Sequence, residues 1–156
     1  MKADDLLIVR TFNAPREAVW QAWTEAERLM RWWGPKGFTA PVCKTDLRVG
    51  GKYLYCMRSP EGRDFWSTGL YREIAAPSLL VCSDSFADPD GNVVPATHYG
   101  MDPDFPLELQ ITVTFEGDAD ITLMTLRHLG IPLGEISDLC RASWNESFDK
   151  LAASLG

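Results

Sequence analysis

Two histidines, His98 and His128, and four cysteines, Cys43, Cys56, Cys82 and Cys140, are the side chains best suited to metal or nucleophilic chemistry. Their spacing supports neither. No two of them stand at a recognised ligand spacing such as C-x-x-C. Cys140 could meet His128 only if a helix folded back closely, and no neighbour is in view to activate the thiol. The sequence holds no Gly-x-Ser-x-Gly elbow, and Gly50-Gly51 reads as a hairpin turn rather than a phosphate loop. Carboxylates such as Glu73, Asp84 or Glu108 could act as bases if burial raised their pKa values, which the sequence does not reveal.

Aromatic and thioether side chains give the stronger signal. Tyr53, Tyr55, Met57, Trp66, Tyr71, Phe86, Trp144 and Phe148 each read singly as core. As a set they read as the lining of an apolar pocket, because phenols and indoles bring polar tips that need partners. His128 ends the last strand in register with Met124 and Leu126. The first reading is a histidine bonded to backbone at a sheet edge; the second is a polar group turned into the cavity. In the cavity reading, a ligand's polar end is oriented by His128, Tyr55, Tyr71 or His98. One indole of the Trp32-Trp33 pair anchors a short helix to the sheet. The other, taken as Trp33, belongs at the cavity rim or on a protein-binding surface. No metal and no cofactor are expected.

Stepwise along the chain, Leu6–Phe12 reads as a strand, closed by Asn13-Ala14-Pro15. Pro15 opens a helix to about Trp23. Thr24 and Glu27 form a capping box that starts a second short helix through about Arg31, broken by Gly34-Pro35. Six further strands follow, at Phe38–Leu47, Lys52–Arg58, Phe65–Ile74, Leu79–Phe86, Leu107–Phe115 and Ile121–Leu129. Their hairpin-sized connections predict an antiparallel meander. A tight turn at Val49-Gly50 places Cys43 opposite Cys56 as a reduced contact. From about Gly134 to Leu155 the residues Ile136, Cys140, Trp144, Phe148, Leu151 and Leu155 form one helical stripe. Glu146 and Lys150 stand on that helix as a favourable i,i+4 pair. The expected fold is therefore α+β, β-α-α-β6-α. A curved seven-stranded antiparallel sheet wraps the long C-terminal helix around an internal cavity, in one domain over residues 1–156. The stretch from Ala87 to Pro106, carrying His98, reads as a lid over the cavity mouth or a solvated excursion.

Composition narrows the partners. The net charge is −7 and the 15 basic residues are dispersed, so phosphate backbones are repelled and nucleic-acid binding is not expected. No apolar stretch approaches the roughly 20 residues needed to span a bilayer. The polar start, Met1 to Asp5, and the unpaired cysteines read as a cytoplasmic protein with reduced thiols.

The segments Arg10-Thr-Phe-Asn-Ala-Pro-Arg-Glu-Ala-Val-Trp-Gln-Ala-Trp-Thr and Arg31-Trp-Trp-Gly-Pro-Lys-Gly-Phe38 are distinctive. With Asp46-Leu-Arg-Val-Gly-Gly51, Arg127-His128 and Trp144-Asn-Glu-Ser-Phe-Asp-Lys-Leu151, they resemble one family over almost the whole chain. It comprises the bacterial proteins similar to the C-terminal domain of the heat-shock-protein-90 ATPase activator, within the START and birch-pollen-allergen-like (SRPBCC) helix-grip superfamily. Ser143 stands where members often carry Gly, and the eukaryotic co-chaperone's separate N-terminal domain has no counterpart in this sequence. The resemblance implies the same helix-grip fold and cavity. It leaves three expectations: binding of a hydrophobic or amphipathic small molecule, a module acting on a heat-shock-protein-90-type chaperone in the stress response, or a cyclase- or dehydratase-like enzyme. The first is preferred, and the protein is expected as a monomer or homodimer.

Overall fold

The computed structural model describes residues 4–155. Strand β1 (Asp4–Phe12) leads into helices α1 (Arg16–Thr24) and α2 (Ala26–Leu29). Strands β2 (Thr39–Thr45), β3 (Lys52–Arg58), β4 (Asp64–Ala75), β5 (Leu79–Ala87), β6 (Leu109–Gly117) and β7 (Thr122–Ile131) follow, and α3 (Glu135–Leu155) closes the chain. All seven strands form one antiparallel sheet in the order β1-β7-β6-β5-β4-β3-β2. This is the α+β helix-grip architecture expected from the sequence. Most strand ends lie within two residues of the expected positions.

Period-two patterning makes the sheet one-sided. On β6, Leu109, Ile111, Val113 and Phe115 are buried, and on β7 so are Met124, Leu126 and His128, while Leu123 and Arg127 face outward. Helix α1 packs Trp20 edge-on against Phe115, with centroids 5.6 Å apart. On α3 the stripe is buried unevenly. Phe148 and Leu151 are fully buried, each worth about 1.5–3 kcal/mol, whereas Ile136, Cys140 and Trp144, nearer the start, are only half-buried. The helix is thus seated by its C-terminal half, and its first turns stand off the sheet.

Four local expectations are corrected. Thr24 does not cap α2: it is the last residue of α1, and its hydroxyl donates back to the Trp20 carbonyl at 2.9 Å. Glu146 and Lys150 do not pair with each other. Lys150 Nζ donates to the carbonyls of Gly34 and Phe38, each at 3.0 Å, and Glu146 accepts the Lys36 N–H at 3.3 Å. Backbone acceptors in the 34–38 turn outcompete the carboxylate, so α3 is pinned to that turn. Cys43 pairs in register with Tyr55 and Cys56 with Val42, a one-residue offset that puts the two thiols on opposite faces. His128 is not at an edge: β7 lies between β1 and β6, where His128 pairs with Leu6 and Ile111.

Candidate functional site

Because the first half of α3 stands off the sheet, a cavity of about 500 Å³ remains between them. Met57, Phe65, Trp66, Phe86 and Leu109 form its sheet wall. Ile136, Leu139, Cys140, Ser143, Trp144 and Ser147 form the helix wall. Trp33, Gly34, Pro35 and Phe38 close one side, and Met101, Asp102 and Phe105 the other. Gly34 has φ +99°, and a Cβ there would come within 3.1 Å of the Phe38 Cβ, so the turn that carries Trp33 into the wall needs glycine. Lys150 holds the same turn through its carbonyls.

The walls are aromatic. Trp144 stacks on Phe148 at 5.4 Å and meets Trp33 edge-on at 5.6 Å. Trp32 is fully buried and donates its indole N–H to the Ala22 carbonyl at 2.9 Å. Of the tryptophan pair, Trp32 is therefore the anchor and Trp33 the wall.

One polar cluster interrupts this surface. Asp84 on β5 and His128 on β7 both reach the cavity, and Nε2 of His128 lies 3.0 Å from Oδ2 of Asp84. The Trp144 indole N–H donates to Nδ1 of His128 at 3.1 Å. An indole nitrogen can only donate, so Nδ1 is the bare nitrogen and Nε2–H donates to Asp84. The histidine is thus held by side chains from β5 and α3 rather than by backbone, and both of its nitrogens are engaged. Among the described residues no group of three His, Cys, Asp or Glu side chains could hold a metal ion.

Beneath the cavity lie the tyrosines. Tyr53 donates to the Ser83 carbonyl at 2.7 Å and its oxygen is 3.4 Å from Oδ1 of Asp84. Its ring also lies over Gly69, where a Cβ would come within 2.6 Å of Cε2 and 1.9 Å of the Ser83 oxygen. Burial, reinforced by the Asp84 charge, holds the Tyr53 phenol well above its ordinary pKa. Burial pushes Tyr71 up to about 12, and burial followed by the neighbouring Tyr71 raises Tyr55 well above the usual range. These phenols stay protonated and serve as packing. Burial, then Asp84, pushes the Cys140 thiol up to about 11, which removes it as a nucleophile at neutral pH.

Of the residues singled out from the sequence, Trp33, Met57, Trp66, Phe86, His128 and Trp144 line the cavity. Tyr53, Tyr55, Tyr71 and Phe148 do not; all four are buried in the core beside it. His98 is exposed in the 3-10 turn Ala96–Tyr99, its ring edge-on to Tyr99 at 4.9 Å. The buried member of that turn is Tyr99, whose hydroxyl donates to the Ala87 carbonyl and accepts the Trp66 N–H. Sequence reasoning missed Phe38, Phe65, Met101 and Phe105 as lining, and weighed Asp84 only as a base. Leu80, Cys82, Asp84 and Phe86 share one strand parity, a signal that could have placed that carboxylate on the inward face.

A family model described as Activator of Hsp90 ATPase homolog 1-like protein matches residues 13–156. No curated protein matches the chain. A solution structure of a protein from Arthrobacter aurescens is 26% identical, with a TM-score of 0.77 over 99% of this chain and 91% of that one. A crystal structure of a Nitrosomonas europaea protein is 22% identical, with a TM-score of 0.77 over 97% and 93%. The crystal structure of the AHSA1 protein from Silicibacter pomeroyi is 24% identical, with a TM-score of 0.74 over 97% of each chain.

Proposed function

The chain belongs to the Activator of Hsp90 ATPase homolog 1-like family, and from that premise we propose that it binds a hydrophobic or amphipathic small molecule between its sheet and its C-terminal helix. The single observation that carries this reading is the cavity of about 500 Å³, walled mainly by aromatic and aliphatic side chains, with the Asp84–His128 cluster, Asp102 and several serines as its polar groups. That size and make-up match small-molecule sites in general. Burying about 300 Å² of apolar ligand surface supplies ~7.5 kcal/mol before the cost of immobilising the ligand. The engagement of both His128 nitrogens, by Asp84 and Trp144, favours binding over turnover.

Native mass spectrometry of the protein purified gently from its own host tests this directly. The expected result is a retained small-molecule adduct, or uptake of the neutral fluorophore N-phenyl-1-naphthylamine that Ser143→Phe blocks. A bare mass together with no probe uptake would sink the proposal.

A second reading, action on a heat-shock-protein-90-type chaperone, draws on the family description. It is favoured by the exposed Leu7 and Val9 on edge strand β1, near Leu123 on β7. Its test is the chaperone's ATPase rate with and without the protein; Val9→Asp should abolish any stimulation while leaving the cavity untouched. An unchanged rate counts against it.

A further inference from the structure

We infer that the ligand is a hydrophobic amine, its protonated nitrogen received by the Asp84 carboxylate and its apolar body lying against the aromatic walls. This rests on the cavity-binding reading and deepens it. Asp84 and Asp102 are the charged side chains lining the cavity, and no lysine or arginine joins them. Among the described residues, the basic side chain within ion-pair distance of Asp84 is His128, and the Trp144 donor fixes that ring as the neutral tautomer. The carboxylate therefore has no cationic partner.

Acceptor capacity makes the same point. A carboxylate offers about four lone-pair sites. His128 fills one at 3.0 Å. Tyr53 has a single proton and gives it to the Ser83 carbonyl at 2.7 Å, so its 3.4 Å approach to Oδ1 contributes little. The Asp84 side chain keeps 20% exposure, and since it lines the cavity its open lone pairs are reachable from there. Its field is felt across the space: Cys140, on the opposite wall, has its thiol raised first by burial and then by Asp84.

The walls suit the same ligand. Trp33 and Trp144 stand in the wall, and an indole is the best aromatic partner for a cation. A fatty acid or other apolar carboxylate would place a second negative charge beside Asp84 in a site of low polarity, where like charges repel strongly. Apolar acids are therefore excluded while apolar amines are admitted.

Three probes sharing one apolar body separate the possibilities: 2-(1-naphthyl)ethylamine, 1-ethylnaphthalene and 1-naphthylacetic acid, each titrated by tryptophan fluorescence at pH 7 and low salt. The amine should bind at least about tenfold tighter than the acid, as a charge-assisted hydrogen bond supports. Asp84→Asn should erase that preference, whereas Asp102→Asn should reduce it less. If 1-ethylnaphthalene binds but the amine is no better than the acid in the native protein, the amine inference fails and the cavity reading stands. If the preference follows Asp102 and not Asp84, it fails as well. If none of the three binds, both fall. The native three-probe comparison decides the matter even should Asp84→Asn not fold.

Discussion

Replacing Lys150 with methionine isolates the contact that joins the sheet-covering helix to the Trp-Trp-Gly-Pro turn. Methionine keeps most of the aliphatic length, so the stem stays packed and the loss is confined to the ammonium. That group donates to the carbonyls of Gly34 and Phe38 at 3.0 Å each, with Pro35 a marginal third at 3.5 Å. A hydrogen bond from a charged donor contributes about 1.5–3 kcal/mol net. Lys150 is only half-buried, so water replaces part of each bond, and the two short ones together amount to about 2 kcal/mol. For a domain of this size each kcal/mol moves Tm by about 2–4 °C, which predicts a fall of about 4–8 °C in a thermal melt. Because Gly34 and Pro35 form part of the cavity wall, binding of the naphthyl probes should weaken at the same time. Glu146→Gln, which touches the turn only through a 3.3 Å bond, should shift Tm by less than about 2 °C. A Lys150→Met fall below about 1 °C, or equal effects of the two variants, would refute the pinning argument.

Three other perturbations give separate checks. Gly69→Ala forces a methyl against the Ser83 oxygen and the Tyr53 ring; it should cost about 3 kcal/mol or more, seen as a large loss of Tm or of soluble protein. Asp64, Asp88 and Asp118 are held below the usual carboxylate range by the Arg58 guanidinium, the Asn92 N–H and the Asp120 N–H respectively. Depressed folded pKa values mean the stabilisation is present above the unfolded value near 4 and is lost as pH falls below about 4. Melts from about pH 6 to 2.5 should show that decline, flattened in the triple Asp→Asn variant. Burial pushes the thiols of Cys43 and Cys82 up to about 12 and those of Cys56 and Cys140 up to about 11. Iodoacetamide at pH 8 should therefore modify the folded protein slowly, with Cys140 first and protected by cavity probes; rapid labelling of Cys82 would contradict the burial argument.

The strands were legible because β6 and β7 alternate cleanly, and the long helix because its stripe recurs at four-residue steps. The cavity itself was readable only in outline. The stripe from Ile136 to Leu155 says which face of α3 turns inward, but not that its C-terminal half is the part packed most deeply against the sheet. That depends on anchors supplied from far away in sequence, among them the 34–38 turn that captures Lys150. The tyrosines misled for a related reason. Tyr53 and Tyr71 have inward parity, yet they are buried in the packed core and do not line the cavity, and parity does not distinguish the two. His128 needed two distant partners, Asp84 and Trp144, before its role could be read, and pairings of that kind carry no local signature.

The strand order also bears on how the chain reaches this state. β1 finds its place only beside β7, whose pairing residues, such as Leu126 opposite Ile8, come more than a hundred positions later. By sequence separation the opening strand is expected to pair after the meander from β2 to β7, whose neighbours are closer in the chain. Closure of that distant pair and docking of Phe148 and Leu151 are then expected last, slowed by their sequence separation. Until then the inward residues of the sheet lie bare. As the polypeptide leaves the ribosome this is its most adhesive stage, and attachment of the final helix ends it.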